Sequence, residues 1–114
     1  MEVPEVKKVW LFDRLKHSVT LLASPADIQL REVPIFGHKA DELFFCFEHW
    51  RKRALCSFQS EMKVDQLFCL DSIQQVFAKM GRECWSDDGL RNSAEWRDVR
   101  RLSSKTLGVF GWLR

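Results

Sequence analysis

Apolar residues return at steps of three and four along most of this chain, a period that suits helices and argues against most other folds. Val6, Val9, Phe12, Leu15, Val19 and Leu22 draw one such stripe near the amino end, at the spacing that places side chains on one face of an α-helix. Trp10 and Leu11 widen the stripe, and Lys7, Lys8, Arg14 and Lys16 take the other side. Pro4 and Glu5 suit the first turn, where proline's missing amide is not needed. The pattern predicts a helix from Glu5 to Ala23.

In Ser24-Pro25-Ala26-Asp27, Ser24 is read as the N-cap of a short helix and Pro25 as part of its first turn. That helix passes through Ile28, Leu30 and Arg31 and stops before Pro34, because the residue before a proline is pushed out of the helical region. Ile35-Phe36-Gly37-His38 then reads as a partly buried loop.

The segment from Lys39 to Leu55 admits two readings. As a helix it puts Leu43, Phe47, Trp50 and Ala54 on one face with Phe44 beside them. As a hairpin over residues 41–58 it would alternate Leu43, Phe45 and Phe47 against Phe44, Cys46 and Glu48, and phenylalanine and tryptophan favour strands. Charge order favours the helix. Asp41 and Glu42 open the segment and Arg51-Lys52-Arg53 close it, matching the helix macrodipole, with Glu48 and Lys52 paired one turn apart.

Further on, Asp65 is read as the cap of a helix carrying Leu67, Leu70, Ile73, Phe77 and Met80 and ending at Gly81, with Cys69 at the stripe's edge. Ser86-Asp87-Asp88-Gly89 is read as a turn, with glycine supplying the unusual dihedral. Ser93 caps a last helix presenting Trp96, Val99, Leu102, Thr106 and Val109 or Phe110, and Gly108 and Gly111 loosen its end so that Trp112 and Leu113 fold back. The expected fold is all-α: one bundle-like domain over residues 1–114, with four main helices and one or two short ones. The alternative is an α+β domain with residues 41–58 as the hairpin.

Composition narrows the functional classes. Eighteen cations against sixteen anions leave a net charge of +2, too balanced to demand nucleic acid or an anionic membrane. Tyrosine is absent, which removes phenol acid/base chemistry. Cys46, Cys56, Cys69 and Cys84 form no CxxC pair and match no zinc-knuckle spacing. The amino end lacks a basic start followed by an apolar run, and no uncharged stretch approaches the ~18 residues of a membrane span. A reducing cytoplasm with free thiols is the expected location.

Two runs, Leu22-Ala23-Ser24-Pro25-Ala26-Asp27-Ile28-Gln29-Leu30 and Ala40-Asp41-Glu42-Leu43, together with the closing stretch from Glu95-Trp96 to Phe110-Gly111-Trp112, resemble small uncharacterised helical proteins of bacteria. The resemblance spans most of the chain and consists of caps and apolar stripes. It implies a bacterial cytoplasmic origin and transfers no site residues.

Cys46, Glu48 and His49 gather a thiol, a carboxylate and an imidazole within one helical turn. A metal site there would need His38, Cys56 or Cys84 to complete a tetrahedron, and a nucleophilic Cys46 would need its pKa lowered. Phe45 and Phe47 flank that thiol and push the other way, so no catalytic residue, metal ligand or cofactor is assigned. Arg97, Arg100 and Arg101 form a basic run on the last helix, diluted by Glu95 and Asp98, that would serve phosphate contacts. The remaining lead is aromatic. Phe44, Phe45, Phe47 and Trp50 wrap more of one helix than the ~100° a surface helix needs, and Trp112 and Leu113 raise the same question at the carboxyl end.

These residues are expected to serve a non-enzymatic protein–protein interaction or accessory, immunity-like module. Phe44, Phe45, Trp50, Trp112 and Leu113 are its contact candidates, and another protein or a second copy in a homodimer is its partner. The first alternative is a nucleic-acid-binding regulator using Arg97, Arg100 and Arg101. The second is a small thiol- or metal-dependent enzyme around Cys46 and His49.

Overall fold

The computed structural model describes residues 4–33 and 38–112, with side chains from Lys7 onward. These form six α-helices: α1 (Pro4–Ala23), α2 (Ala26–Glu32), α3 (Lys39–Phe58), α4 (Val64–Lys79), α5 (Asp87–Asn92) and α6 (Ala94–Val109). Two 3₁₀ turns, Gln59–Glu61 and Arg82–Trp85, complete the order, and there is no strand among the described residues. The helical reading of Lys39–Leu55 therefore holds, and the hairpin over 41–58 is excluded by a continuous helix that runs on to Phe58.

The four long helices form an antiparallel ring. Trp10 meets Trp50 and Phe12 meets Phe58, while Leu21 shares a cleft with Leu43 and Cys46, so α1 runs against α3. α1 also packs on α6, α6 on α4, and α4 on α3 through Phe77 against Phe44 and Phe47. Leu15, Leu22, Phe47, Leu70, Ile73, Trp96 and Val99 fill the centre with no more than 1% exposure. On α1 the buried register is Leu11, Leu15, Ser18 and Leu22, and Val9 is 66% exposed. At ~100° per residue Val9 and Leu11 lie far apart around the helix, and Leu11 is the one turned inward. On α6 the buried face takes Ser103 and Leu107, leaving the expected Leu102 half-buried.

At one end, α2, α5 and the turn Arg82–Trp85 close the ring through hydrogen bonds. Gln29 is fully buried. Its amide nitrogen donates to the carbonyls of Leu21 (3.1 Å) and Leu22 (3.0 Å), at the end of α1. Its amide oxygen accepts from Arg100 (2.9 Å), which also donates to the Leu90 carbonyl at 3.1 Å. A helix end leaves its last carbonyls without partners, and here one side chain meets two of them. Ser24 serves the same end, its hydroxyl donating to the Thr20 carbonyl at 2.8 Å. It is therefore not the N-cap of α2; Pro25 holds that position without a side-chain bond, because the seryl hydroxyl is already engaged behind it. The indole of fully buried Trp96 donates to the Cys84 carbonyl at 2.8 Å.

Three other local expectations are corrected. Asp87-Asp88-Gly89 is the first turn of α5, with Ser86 accepting from the Gly89 amide at 2.9 Å. Gly89 has no positive φ; it is needed for close approach, since a Cβ there would stand 2.1 Å from the Glu83 carbonyl oxygen and 2.8 Å from Cys84 backbone. Asp65 lies in the first turn of α4 and the cap is Lys63, whose amide donates to Gln66 at 2.8 Å. Gly111 does not loosen the end of α6. With φ +74, it lets Trp112 donate to Leu107 (2.8 Å) and Gly111 to Gly108 (3.0 Å), the paired bonds of a Schellman stop.

Two substitutions test this end of the fold. Gln29→Ala removes the amide from the Leu21 and Leu22 carbonyls and from Arg100, leaving Leu21 the Ser24 amide and Arg100 the Leu90 carbonyl, and is expected to cost about 2 kcal/mol in urea unfolding; a change within experimental error would contradict the role assigned to the amide. Gly89→Ala is expected to lower stability by about 2 kcal/mol or more. Gly81→Ala meets only the flexible Glu83 carboxylate and should move the midpoint far less; equal effects would remove the close-approach explanation.

Candidate interaction surface

The antiparallel seam of α1 and α3 leaves a band of aromatic and cationic side chains open to solvent. Lys7, Trp10, Arg14 and His17 follow one another along α1 at steps of three and four, and Phe45, His49, Lys52 and Cys56 do so along α3; all are exposed. Each set is a helical stripe, and the packing of α1 on α3 brings the two side by side. Trp10 and Trp50 meet edge to face with ring centres 5.4 Å apart. The Arg53 guanidinium carbon lies 5.6 Å from both ring centres, a cation–π contact worth about 0.5–1 kcal/mol at an exposed site. His49 stands edge-on to Trp50 at 4.5 Å. Trp10 keeps 43% and Phe45 58% of its surface open.

The other contact candidates separate from this band. Phe44 turns inward, 5.0 Å from Phe77 and 5.7 Å from Trp85, so it is core as well as surface. Trp112 folds back as expected and stacks on Phe110 at 4.3 Å. It shares an open groove of about 330 Å³ with Lys8, Val9, Phe12 and Lys16 on the α6 side of α1. Leu113 lies outside the described residues. Trp10 and Arg53, which the sequence reading treated as a widened stripe and a charge run, are the residues it missed. Their signal was present in the recurrence of Lys7, Trp10, Arg14 and His17, but only the antiparallel pairing of α1 with α3 joins them to Trp50.

The chemical candidates do not converge. His38 precedes α3 in a separate cleft with Asp41, Arg82, Trp85 and Ser86, about 12 Å along the helix from Cys46 at 1.5 Å per residue. Cys84 is buried. Among the described residues no three His, Cys, Asp or Glu side chains are grouped to hold a metal ion. Partial burial raises the Cys46 thiol above its ordinary 9.0, and Glu42 adds to the rise. Hydrogen bonds with Ser18 and Trp50 and the charge of Arg14 pull down and are outweighed. A nucleophilic cysteine requires the opposite shift.

The basic run on α6 is also divided. Arg100 points into the fold toward Gln29, with its pKa lowered by burial and by Arg97, though a guanidinium stays protonated throughout. Arg97 donates to the Asn92 carbonyl at 3.1 Å, and Arg101 lies 3.5 Å from Asp98. No helix among the described residues is long and apolar enough to cross a membrane. No family model, curated protein or solved structure matches the chain.

The direction of the Cys46 shift sets its reactivity. At neutral pH, iodoacetamide followed by peptide mass mapping is expected to label Cys46 more slowly than a free thiol, with the rate climbing as pH rises beyond 9.0. Glu42→Gln removes a charge that opposes ionisation and should speed the reaction. Labelling as fast as a free thiol at neutral pH would contradict this environment.

Proposed function

We propose that this chain is a non-enzymatic protein-interaction module, of an accessory or immunity-like kind, that docks another protein through the α1/α3 face. The observation that carries the reading is the exposed ring surface of Trp10 and Phe45 beside half-buried Trp50, with Arg53 set across both indoles. Tryptophan and arginine dominate the binding energy of protein interfaces, and contiguous exposed apolar patches on single chains mark contact sites. Two packed helices hold these side chains in place beforehand, which reduces the ordering cost of association.

The surroundings support the same reading. Cys46, three residues before His49 on α3, has its thiol pKa raised, which favours a binding surface over nucleophilic chemistry. All four cysteines are free, in keeping with a reducing bacterial cytoplasm. Arg97, Arg100 and Arg101 each have a partner within the chain, which weakens the case for phosphate binding by α6.

Photo-cross-linking distinguishes a docking face from bare surface. Benzoylphenylalanine in place of Phe45, used in the native host, is expected to give a discrete protein adduct that disappears when Trp10→Ala is added. The same probe in place of Arg101, on α6, is expected to give none. Absence of an adduct at position 45, or equal yields at both positions, would overturn the reading.

A further inference from the structure

Charge on the α1/α3 face is more one-sided than the chain as a whole. The sequence carries eighteen cations and sixteen anions, and some of them meet: Lys8 with Glu61 at 2.6 Å, Arg91 with Asp27 at 3.5 Å, Arg101 with Asp98 at 3.5 Å. Around the tryptophan pair four exposed cations, Lys7, Arg14, Lys52 and Arg53, stand against two exposed acids at the margin, Asp13 and Glu42. Lys7, Arg14 and Arg53 have no carboxylate within ion-pair distance among the described residues. Lys52 only grazes Glu48 at 3.7 Å, while Arg51 holds that carboxylate at 2.8 Å. Asp13, three residues after Trp10, and Glu42, three before Phe45, border the face but form no ion pair with Lys7, Arg14 or Arg53, and Glu42 lies about 16 Å along α3 from Arg53 at 1.5 Å per residue.

We infer that the partner segment docking on this face is acidic, carrying carboxylates for Arg14 and Arg53 and an apolar side chain for the opening beside Trp10 and Phe45. This rests on the docking face proposed above and adds the chemistry of its occupant. Arg53 lies over two indoles, so its planar fork is oriented before binding, as bidentate carboxylate recognition requires. A second copy does not fit. A twofold interface sets the same patch against itself, which would bring one cation-rich patch, with Arg14, Lys52 and Arg53, against another. A single-stranded nucleic acid would want open ring faces for stacking bases. Here Trp10 and Trp50 pack on each other and Arg53 lies across both, which favours a protein segment.

Three probes separate these occupants: an amphipathic helical peptide bearing glutamate and leucine, its counterpart with lysine for every glutamate, and a short oligothymidylate. Binding is read by tryptophan fluorescence and anisotropy at low and physiological salt. The expected result is affinity for the glutamate peptide at least about tenfold above the lysine peptide, weakening as salt rises. Arg14→Glu with Arg53→Glu should reverse the preference, and the milder Arg14→Gln with Arg53→Gln should abolish it should the charge-reversed protein fail to fold. Equal affinity for both peptides, binding of neither, or tighter binding of oligothymidylate overturns the inference. So does a concentration-dependent dimer that Trp10→Ala dissolves. A discrete adduct at position 45 alongside failure of the glutamate peptide leaves the docking face standing and removes its acidic partner; loss of both removes the face as well.

Discussion

The carboxamide of Gln29 is the interaction on which the closed end of this bundle depends. It is fully buried, yet it satisfies the last carbonyls of α1 with its nitrogen and receives Arg100 from α6 with its oxygen. Arg100 passes the connection to Leu90 at the end of α5. Three helices thus meet at one amide, with α5 joined to it through Arg100, and each of these groups has a partner, the condition under which a buried polar network stabilises a fold. The Trp96 indole bonded to Cys84 and the missing side chain at Gly89 allow the cover formed by Arg82–Trp85 and α5 to sit tightly on the ring.

That closure leaves the sides of the bundle to be specified by packing alone. Across the α1/α3 seam Trp10 meets Trp50 and Phe12 meets Phe58, and the residues flanking it are pushed outward by the helical period. Rings and guanidinium groups there are held largely by contacts with one another: Trp10 on Trp50, His49 on Trp50, Arg53 across both. Such a surface is ordered and incompletely covered, the combination that suits docking. The closed end gives the molecule rigidity and the seam gives it a face to present.

Much of the architecture was legible in the chain. The three-and-four period located all four long helices, and the acid-to-base order of Asp41–Arg53 distinguished helix from hairpin, because a continuous dipole rewards that order and an alternating strand does not. Ser93 capped as read, its hydroxyl accepting from the Trp96 amide at 3.2 Å. The misreadings were choices between local partners. Ser24 precedes a proline-started helix but turns back to α1, Gly89 sits in turn-like sequence but serves close packing, and Gly111 ends a helix firmly where loosening was expected. In each case the residue type was correctly flagged, and its partner belonged to a neighbouring turn or element.

The candidate face was legible only in halves. Phe45 and Trp50 stood out on one helix, while Trp10, Arg14 and Arg53 passed as stripe edge and charge run. By itself the sequence determined the helices and their apolar faces, because side-chain period and terminal charge act within a few residues of one another. Tertiary structure decided which aromatics remain open, which arginines are consumed inside and which cations stand without acids. Those outcomes depend on α1 lying antiparallel to α3 and on Arg100 reaching Gln29 across seventy-one positions of chain, distances over which no local pattern carries information.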